Sequence, residues 1–502
     1  MKKASFLSGL LFLCSFAIYA QSLPHSTPEA EGVSSEAIIK FIEGYAADKH
    51  ELHSYMLIRH GKVISEAWWK PYAPDKKHTM YSVSKSWTST AIGFAVAEKR
   101  LSVQDKVLSF FPEHADLKDK AFLADLRVQD LLTMSVGHEK EPLRSVIVFS
   151  PDWVRGFLNY PISYQPGTKF LYNTLATYML SAIIQKVTGM TTLDYLKPRL
   201  LAPLHISGID WEEDQKGVNV GGWGIRVKTE DMAKLGLLYL NKGKFEGKQI
   251  LPAAWVEEAT SKHIDQEPGA SEDKRANGQY ADWIQGYGYQ FWRSRHGAFR
   301  GDGAYGQYIL MMPEQDAVLI ITSESQDLPD DLNQVWKNLL PAFKAKALPA
   351  NPSGLKALAT FNASRQINTP ISSLKAALPT KSYHLGTNPL DFRQLSVDTK
   401  GTMTITTKDS TKHEFQLAQG VWATGKTNLI GPYMLRAARV DLTKKAPFDY
   451  AGSYRWIDAE TLEITLLYFE SPHHWTFTLK GNQVSVVNSF EPQNEIKIPE
   501  RK

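Results

Sequence analysis

The chain has 502 residues, and its 57 lysines and arginines against 53 aspartates and glutamates give a net charge of +4. Both signs are spread along the sequence, which excludes the strong basic bias expected of a protein that binds nucleic acid or an anionic membrane. The length predicts two or more domains, and the 43% of hydrophobic residues are enough for sizeable cores.

The first 20 residues have the pattern of a secretory signal peptide. Lys2 and Lys3 precede an apolar run over residues 6–19, and Ala20 is the expected last residue before cleavage. The run is shorter than the ~20 apolar residues of a spanning helix, so no stable membrane span is predicted. We expect an exported protein, periplasmic or secreted. Its mature chain would lack cysteine, because the sole cysteine, Cys14, lies within the signal.

Strand and helix patterns are mixed over residues 21–345, the range that we assign to a first domain. Alternating apolar residues around the turn 60–62 predict a pair of strands. The runs QYILMMP and DAVLIITSES, joined by residues 313–316, predict adjacent central strands. Residues 86–100 and the stretch that ends at Gly189 predict helices, and the nearly continuous apolar face of the first helix predicts that it is buried.

Composition changes at residues 346–360, where alanine, proline, glycine and serine replace the periodic apolar pattern, and we predict a linker there. Beyond it, alternating runs such as GTMTITT, KHEFQLA, TLEITLLYF, HHWTFTLK and NQVSVVNSF are separated by polar turns. These runs predict a small all-β domain over residues 361–502.

The stretch YSVSKSWTST, residues 81–90, contains a Ser-x-x-Lys pair. Residues three apart share one face of a helix, so Lys85 would lie beside the hydroxyl of Ser82. A partly desolvated lysine has a lowered pKa and can help to remove the proton of the serine hydroxyl. Free backbone N–H groups at the helix start would face a developing oxyanion. In isolation the motif is weak evidence, because a helix cap followed by a solvated lysine has the same pattern.

The wider sequence around this motif resembles the serine β-lactamase and penicillin-binding protein superfamily, in its class C-like branch. The resemblance covers residues 28–343 and runs in family order through MYSVSKSWTSTAIGFAVAEKRLSVQDKVLSFFPEH, VQDLLTMSVGH, YQPGTKFLYNTLATYMLSAIIQKVTG, GGWGIRVKTEDMAKLGLLYLNKGKFEGKQIL and FRGDGAYGQYILMMPEQDAVLIITSES. It implies an α+β domain of the β-lactamase/transpeptidase type, with helices flanking an antiparallel sheet and an all-helical subdomain. The later stretch FDYAGSYRWIDAETLEITLLYFESPHHWTFTLKG is similar to the lipocalin-like barrel of some secreted hydrolases in this family, which implies a barrel-like C-terminal domain.

The resemblance also implies roles for individual positions. Ser82 would be the acylated nucleophile and Lys85 its partner, while Tyr172 would take the serine proton and return one to the leaving group. The backbone N–H groups of Ser82 and Ala304 would form the oxyanion hole. Because a phenol has an ordinary pKa of ~10, Tyr172 would need a nearby cation such as Lys85 to act as a base at neutral pH.

Two motifs depart from the family pattern and bear on the substrate. Either Thr174 stands where the usual Tyr-x-Asn motif has asparagine, or the loop is shifted by one residue, since Asn173 comes one position earlier. Gly301, Asp302 and Gly303 replace Lys-Thr-Gly or His-Thr-Gly, which removes a cation that would bind a carboxylate; the aspartate would repel one. The candidate substrate-binding residues in these motifs are Asn173, Thr174, Asp302 and Gly303.

Other features carry less weight. Trp283 and Trp292 are candidates for substrate contact because they precede the active-site strand. The glycine-rich stretch 221–224 is interpreted as a turn near the site, since it lacks the setting of a phosphate loop. Neighbouring residues of a strand point to opposite faces, so His473 and His474 are interpreted as a solvated pair. No metal or organic cofactor is indicated.

These features favour an exported serine hydrolase, an esterase or amidase that acts on a neutral or cationic substrate, either a small molecule or a short peptide-like compound. Two alternatives stay open. One is a D,D-peptidase or β-lactamase acting on peptidoglycan or β-lactams, which export and family resemblance favour. The other is a non-catalytic ligand-binding protein, which would not need Ser82, Lys85 and Tyr172 together. The sequence does not indicate the acyl group, the role of the C-terminal domain or the oligomeric state. It does not identify the deacylating base either, for which Tyr172 is the default candidate.

Overall fold

The computed structural model describes residues 22–46, 50–438 and 440–499. The predicted signal peptide, residues 1–20, therefore lies outside the described residues. Within the described ranges, no helix combines the length and the apolar character needed to cross a bilayer.

The first domain is built around a six-stranded antiparallel sheet. The strands of this domain are β1 (His50–Arg59), β2 (Lys62–Trp68), β3 (His78–Thr79), β4 (Asp210–Trp211), β5 (Ile225–Val227), β6 (Lys244–Phe245), β7 (Lys248–Gln249), β8 (Trp292–Arg293), β9 (Phe299–Gly303), β10 (Gln307–Met312) and β11 (Ala317–Ser325). The main sheet has the order β2-β1-β11-β10-β9-β8, and smaller sheets are formed by β3-β5-β4 and by β6-β7. The strand that carries the Gly-Asp-Gly motif, β9, thus lies beside the centre of the main sheet.

Both predicted strand pairs are confirmed. β1 and β2 meet at His60 and Gly61, whose φ angles of 49° and 73° suit the tight turn of a hairpin. β10 and β11 pair antiparallel, and every residue of both strands is buried. These two strands are therefore central, as their continuous apolar character predicts.

Helices cover the sheet. Those of the first domain are α1 (Ser35–Tyr45), α2 (Ser84–Ala97), α3 (Val128–Leu132), α4 (Leu143–Phe149), α5 (Trp153–Asn159), α6 (Thr174–Thr188), α7 (Thr192–Leu196), α8 (Thr229–Leu240), α9 (Ala253–Thr260), α10 (Glu272–Asn277) and α11 (Leu328–Gln334). Every residue of α2 from Ser84 to Ala95 is buried. α6 ends at Gly189, which has a φ of 71° and so forms a left-handed cap. Both predicted helices are confirmed, and α2 begins two residues earlier than expected.

The two faces of the main sheet belong to different apolar cores. Met56 and Ile58 of β1 face a core that includes Trp87 of α2. The alternate residues Tyr55 and Leu57 face the core that α1 covers. This alternation is the period of a strand buried on both faces. Residues 98–209, with α3 to α7, form a helical region beside these layers, so the predicted α+β architecture is confirmed.

The C-terminal domain consists of two packed β-sheets. Its strands are β12 (Lys381–His384), β13 (Phe392–Val397), β14 (Thr402–Thr407), β15 (Lys412–Gln416), β16 (Ala418–Gln419), β17 (Ala423–Thr427), β18 (Phe448–Trp456), β19 (Thr461–Tyr468), β20 (His474–Lys480), β21 (Gln483–Asn488) and β22 (Ile496–Ile498). β12 to β15 form one sheet and the others form the second, and both sheets share one apolar core. The predicted all-β domain is confirmed, but its described strands do not close into a barrel.

The predicted linker, residues 346–360, is largely helical. A twelfth helix, α12 (Pro352–Ala363), begins after Asn351, whose side chain caps its first turn. Leu358 is 3% exposed and belongs to the core beneath the main sheet. The segment is therefore docked on the first domain, and the exact domain boundaries stay a prediction.

The C-terminal domain also packs on the part of the first domain that carries Ser82. The backbone N–H of Thr79 donates to the carbonyl of Glu470 at 2.9 Å. The indole Nε1 of Trp223 donates to the hydroxyl of Tyr433 at 3.2 Å. The second domain therefore helps to build the surroundings of the nucleophile turn.

Candidate active site

Ser82 lies in a 3₁₀ turn, Tyr81–Val83, immediately before α2. Tyr81 has a φ of 43°, a left-handed conformation that is uncommon for a residue with a side chain and is frequent at functional turns. The hydroxyl of Ser84 donates to the carbonyl of Tyr81 at 2.6 Å and accepts from the N–H of Ile225 at 3.2 Å. These two hydrogen bonds hold the turn in place.

The side chain of Lys85 is directed at Ser82 inside the protein. Lys85 is 1% exposed, and its Nζ lies 3.0 Å from Ser82 Oγ and 2.9 Å from the carbonyl oxygen of Gly222. Burial lowers the pKa of Lys85 to about 7, although the carboxylate of Glu141 acts in the opposite direction. A large fraction of Lys85 is therefore neutral near pH 7, and a neutral amine beside the hydroxyl can accept its proton.

Tyr172 completes a group of three side chains. Lys85 Nζ lies 4.7 Å from the centre of the Tyr172 ring, which stacks on Trp292 at 5.3 Å and meets Tyr287 edge-on at 6.3 Å. Burial raises the pKa of Tyr172, and a hydrogen bond with Ser82 acts in the opposite direction. The raised pKa of Tyr172, together with the 3.0 Å contact between Lys85 Nζ and Ser82 Oγ, favours Lys85 over Tyr172 as the base.

The end of β9 lies close to the nucleophile turn. A Cβ atom at Gly303 would lie 2.4 Å from the carbonyl oxygen of Met80, so only glycine permits this approach. Ala304 is the next residue after Gly303, so the backbone of Ala304 lies in the region of Ser82. The oxyanion hole formed by these two N–H groups stays a prediction.

Asp302 has a charged partner on its own strand. The Nε of Arg300 donates to Asp302 Oδ2 at 2.8 Å, and the two residues are 0% and 8% exposed. The guanidinium also donates to Ser294 Oγ at 2.7 Å and lies 4.7 Å from the Trp283 ring centre. Burial raises the pKa of Asp302, and Arg300 opposes that effect. The opposite charges of Arg300 and Asp302 therefore balance each other, and the ring of Trp283 packs on the guanidinium group of Arg300.

Replacing Asp302 with alanine is expected to destabilise the fold by about 3 kcal/mol, because the buried Arg300 would lose its counter-charge. Chemical denaturation of the wild type and the variant measures this difference. In the double variant Arg300→Met, Asp302→Leu, most of the loss should be recovered, since no charge is left unpaired. Equal stability of Asp302→Ala and the wild type would contradict this role.

Asn173 and Thr174, the predicted substrate-binding residues of the second motif, are engaged within the protein. Asn173 is 1% exposed, its Oδ1 accepts from the N–H of Ala176 at 3.2 Å, and its Nδ2 lies 3.0 Å from His138 Nδ1. The N–H of Thr174 donates to Glu141 Oε1 at 2.7 Å. Asn173 is thus the cap of α6, which explains the Tyr-Asn-Thr order: the amide begins the helix.

Two residues of the site were not identified from the sequence. The carboxylate of Glu141 raises the pKa of both Lys85 and Tyr172, so it acts on both groups. The carbonyl of Gly222 accepts from Lys85 Nζ. The glycine-rich turn 221–224 was the sequence feature that could have indicated the role of the Gly222 carbonyl. Glu141 is an exposed residue in a loop, and no sequence pattern distinguishes it from other surface glutamates.

A separate cavity of about 810 Å³ lies in the C-terminal domain. Its lining includes Phe392, Leu429, Tyr433 and Trp475 but not the residues grouped around Ser82. The cavity is therefore distinct from the site that holds the nucleophile.

Comparisons with known proteins agree with this geometry. The sequence profile of the Beta-lactamase family matches residues 42–342, which is more than half of the chain. The chain belongs to the β-lactamase family. The predicted membership of the β-lactamase and penicillin-binding protein superfamily is thereby confirmed. The match ends before α12, so the lipocalin-like character of the C-terminal domain stays a prediction.

The proteins to which this chain is similar include several that are named as hydrolases. The 6-aminohexanoate-dimer hydrolase of Paenarthrobacter ureafaciens is 25% identical over 307 residues, which cover 57% of this chain and 75% of that protein. The N-acetylmuramyl-L-alanine amidase of Bacillus subtilis (strain 168) is 25% identical over 156 residues, 28% of this chain and 35% of that protein. A solved structure described as "Putative 6-aminohexanoate-dimer hydrolase from Bacillus anthracis" has a TM-score of 0.51 at 19% identity and covers 66% of this chain and 89% of its own. The similarity to this solved structure shows that the two proteins share a fold.

Proposed function

We propose that this member of the β-lactamase family is an exported serine hydrolase that cleaves an ester or an amide through an acyl-enzyme on Ser82. The observation that carries the proposal is the 3.0 Å contact between Lys85 Nζ and Ser82 Oγ. An ordinary lysine, with a pKa of ~10.4, is protonated at pH 7 and could not accept the serine proton. Burial lowers the pKa of Lys85 to about 7, which makes it a working base.

In acylation, neutral Lys85 takes the proton of Ser82 while Oγ attacks the substrate carbonyl carbon. The N–H groups of Ser82 and Ala304 would stabilise the tetrahedral oxyanion. The phenol of Tyr172 then gives its proton to the leaving group, and the protonated lysine restores it. In deacylation, Lys85 takes a proton from water as the water oxygen attacks the ester carbonyl carbon. The bond from that carbon to Ser82 Oγ then breaks, the protonated Lys85 returns the proton to Oγ, and the acid product leaves.

We infer that the substrate is neutral or cationic near the scissile bond. Gly301 supplies no cation, and the charge of Arg300 is compensated by Asp302. Glu141 adds a negative charge that acts on Lys85 and Tyr172. A negative field disfavours a substrate carboxylate and favours an ammonium group. The names of the two relatives, a hydrolase of an aminohexanoate dimer and an amidase, support testing amides beside esters.

The test exposes the wild-type protein to a fluorophosphonate probe, a penicillin and a matched set of p-nitrophenyl esters and p-nitroanilides. We expect one probe per chain on the peptide that contains Ser82, release of the chromophore, and no stable penicilloyl adduct, all followed by mass spectrometry and absorbance. Among esters of equal length, an ammonium-bearing acyl group should react about 10-fold faster than a carboxylate-bearing one, as expected for one screened charge. Glu141→Gln should reduce this preference.

Other outcomes would change the assignment. A stable penicilloyl adduct on Ser82 would favour a D,D-peptidase or β-lactamase. A folded protein that reacts with none of the reagents would contradict the acyl-enzyme and favour ligand binding without catalysis.

A further inference from the structure

Two carboxylates and a histidine from three strands meet where the C-terminal domain joins the main sheet. Glu51 of β1 and Glu324 of β11 are directly opposite each other in the antiparallel register. His474 is the first residue of β20. Each of the three offers one ligand atom, and these atoms all lie within 4.8 Å of one another.

Among the described residues, no lysine or arginine forms an ion pair with Glu51 or Glu324. Like charges directly opposite each other on neighbouring strands are destabilising. The side chain of Glu324 is 5% exposed and that of Glu51 is 36% exposed. Within the part of the chain that the structure describes, the ion-pair contacts of both carboxylates are to histidines alone. A cation between the two carboxylates would remove the repulsion.

In the described part of the chain, one carboxylate oxygen of Glu324 is occupied by hydrogen bonds, whereas a ring nitrogen of His474 is not. Glu324 Oε1 is occupied, because His473 Nδ1 lies 2.6 Å from it and Ser489 Oγ donates to it at 2.7 Å. Glu324 Oε2 lies 3.6 Å from His474 Nδ1, too far for a hydrogen bond. Among the described residues, His474 Nδ1 is buried without a hydrogen-bond partner. Such an atom requires an explanation, and a bound ion would provide one.

The carboxylate of Glu51 is also held in position. The Nε2 of His53 lies 3.3 Å from Glu51 Oε1, and its Nδ1 lies 3.0 Å from Nε2 of His78. His53 is 0% exposed, so this orientation is fixed by packing. A hydrogen-bond partner on the side of a metal ligand that faces away from the ion, as His53 would be for Glu51, orients the ligand toward the ion.

We propose that Glu51, Glu324 and His474 bind one divalent metal ion, for which Zn²⁺ is the best match. Imidazole nitrogen and carboxylate oxygen are both zinc ligands, and three protein ligands leave a fourth position for water. Two carboxylates balance the charge of a divalent ion. The side chain of Glu51 is about a third exposed and that of His474 is 25% exposed, which provides a path for the ion.

This proposal replaces the expectation of a solvated histidine pair. That interpretation is wrong, because His473 is 0% exposed and bonds the same carboxylate that His474 faces. Strand alternation does not separate the two rings, since β20 begins only at His474.

The ion would connect both domains to the nucleophile turn. His473 shares Glu324 with the proposed site, and its ring lies 5.8 Å from that of Tyr81 and 4.6 Å from that of Tyr305. Tyr81 directly precedes Ser82, and Tyr305 directly follows Ala304. The metal would therefore strengthen the domain junction behind the nucleophile without touching the substrate.

The test uses full-length protein treated with EDTA, desalted and titrated with ZnCl₂, with calorimetry for affinity and elemental mass spectrometry for stoichiometry. We expect one zinc per chain and a higher unfolding temperature, while MgCl₂ has no such effect. Glu51→Gln and His474→Gln, which alter ligands directly, should each weaken zinc binding by more than the roughly 10–100-fold that is typical of changes to the groups behind metal ligands. Glu66→Gln is the matched control, because that residue pairs with His25 at 3.1 Å on the exposed edge of the same sheet.

Two results would overturn the proposal. Folded wild-type protein that takes up no zinc would identify the cluster as a metal-free network of hydrogen bonds and ion pairs between the carboxylates and the histidines. Zinc binding of equal strength in the wild type, Glu51→Gln and His474→Gln would place the ion elsewhere. Because Glu51 is partly exposed, the Glu51→Gln variant should fold even if a substitution of the buried Glu324 prevents folding. Binding is measured without substrate, so the outcome is independent of hydrolysis.

Discussion

The Ser82→Ala variant is expected to hydrolyse p-nitrophenyl esters at least about 10⁴-fold more slowly than the wild type, because it has no atom that can form the acyl-enzyme. Steady-state kinetics measure the loss, and intact mass spectrometry should show no fluorophosphonate adduct. The fold should be unaffected, since Ser82 is only partly buried and its hydroxyl contacts Lys85 Nζ rather than an apolar core.

Ser86→Ala is the matched control for this experiment. Ser86 lies in the first turn of α2, four residues after Ser82, and its hydroxyl donates to the carbonyl of Gln290 at 3.1 Å. The control should keep both the label and most of the rate. If Ser82→Ala still accepted the probe at a single site, another residue would be the nucleophile.

Local signals predicted much of the first domain. The hairpin of β1 and β2 has its glycine at Gly61, where φ is positive, and α6 has its glycine at the cap, Gly189. Such turns and caps depend on residues that are adjacent in sequence, so a single sequence contains the information.

Helix α12 shows where local reasoning is insufficient. Its alanine, proline, glycine and serine content is typical of a linker, but the same residues form a helix when Asn351 caps it and Leu358 enters the core of the first domain. The docking is a tertiary contact, and composition does not report it.

The same distinction applies to the site. The three-residue spacing of Ser82 and Lys85 predicted their contact, because one turn of helix brings them together. Gly222, whose carbonyl holds the amine, is 137 positions away from Lys85. The cluster of Glu51, Glu324 and His474 likewise requires the register of β1 on β11 and the packing of a second domain. Pairings across such distances depend on the complete fold, which the sequence patterns do not contain.

The Lys85→Met variant is expected to lower kcat/KM for an ester by about 10³-fold, the usual effect of removing a general base. Methionine keeps the length and the apolar stem of lysine but has no group that accepts a proton. Because the buried carbonyl of Gly222 loses its donor, the variant should also lose about 1–3 kcal/mol of stability. Kinetics with the same ester, together with thermal unfolding, separate the two effects.

The pH profile tests whether Lys85 itself is the base. Burial lowers its pKa to about 7, so the reactive neutral amine is scarce below that pH and predominates above it. For the wild type, kcat/KM should therefore rise as the pH increases through about 7 and then level off. The residual kcat/KM of Lys85→Met should not show this rise near pH 7. Lys234→Met, which removes another buried lysine that donates to the carbonyl of His205, should retain it. A wild-type rate that falls as the pH rises through this range would mean that protonated Lys85 is the active form, acting as an electrostatic partner of Ser82 instead of its base.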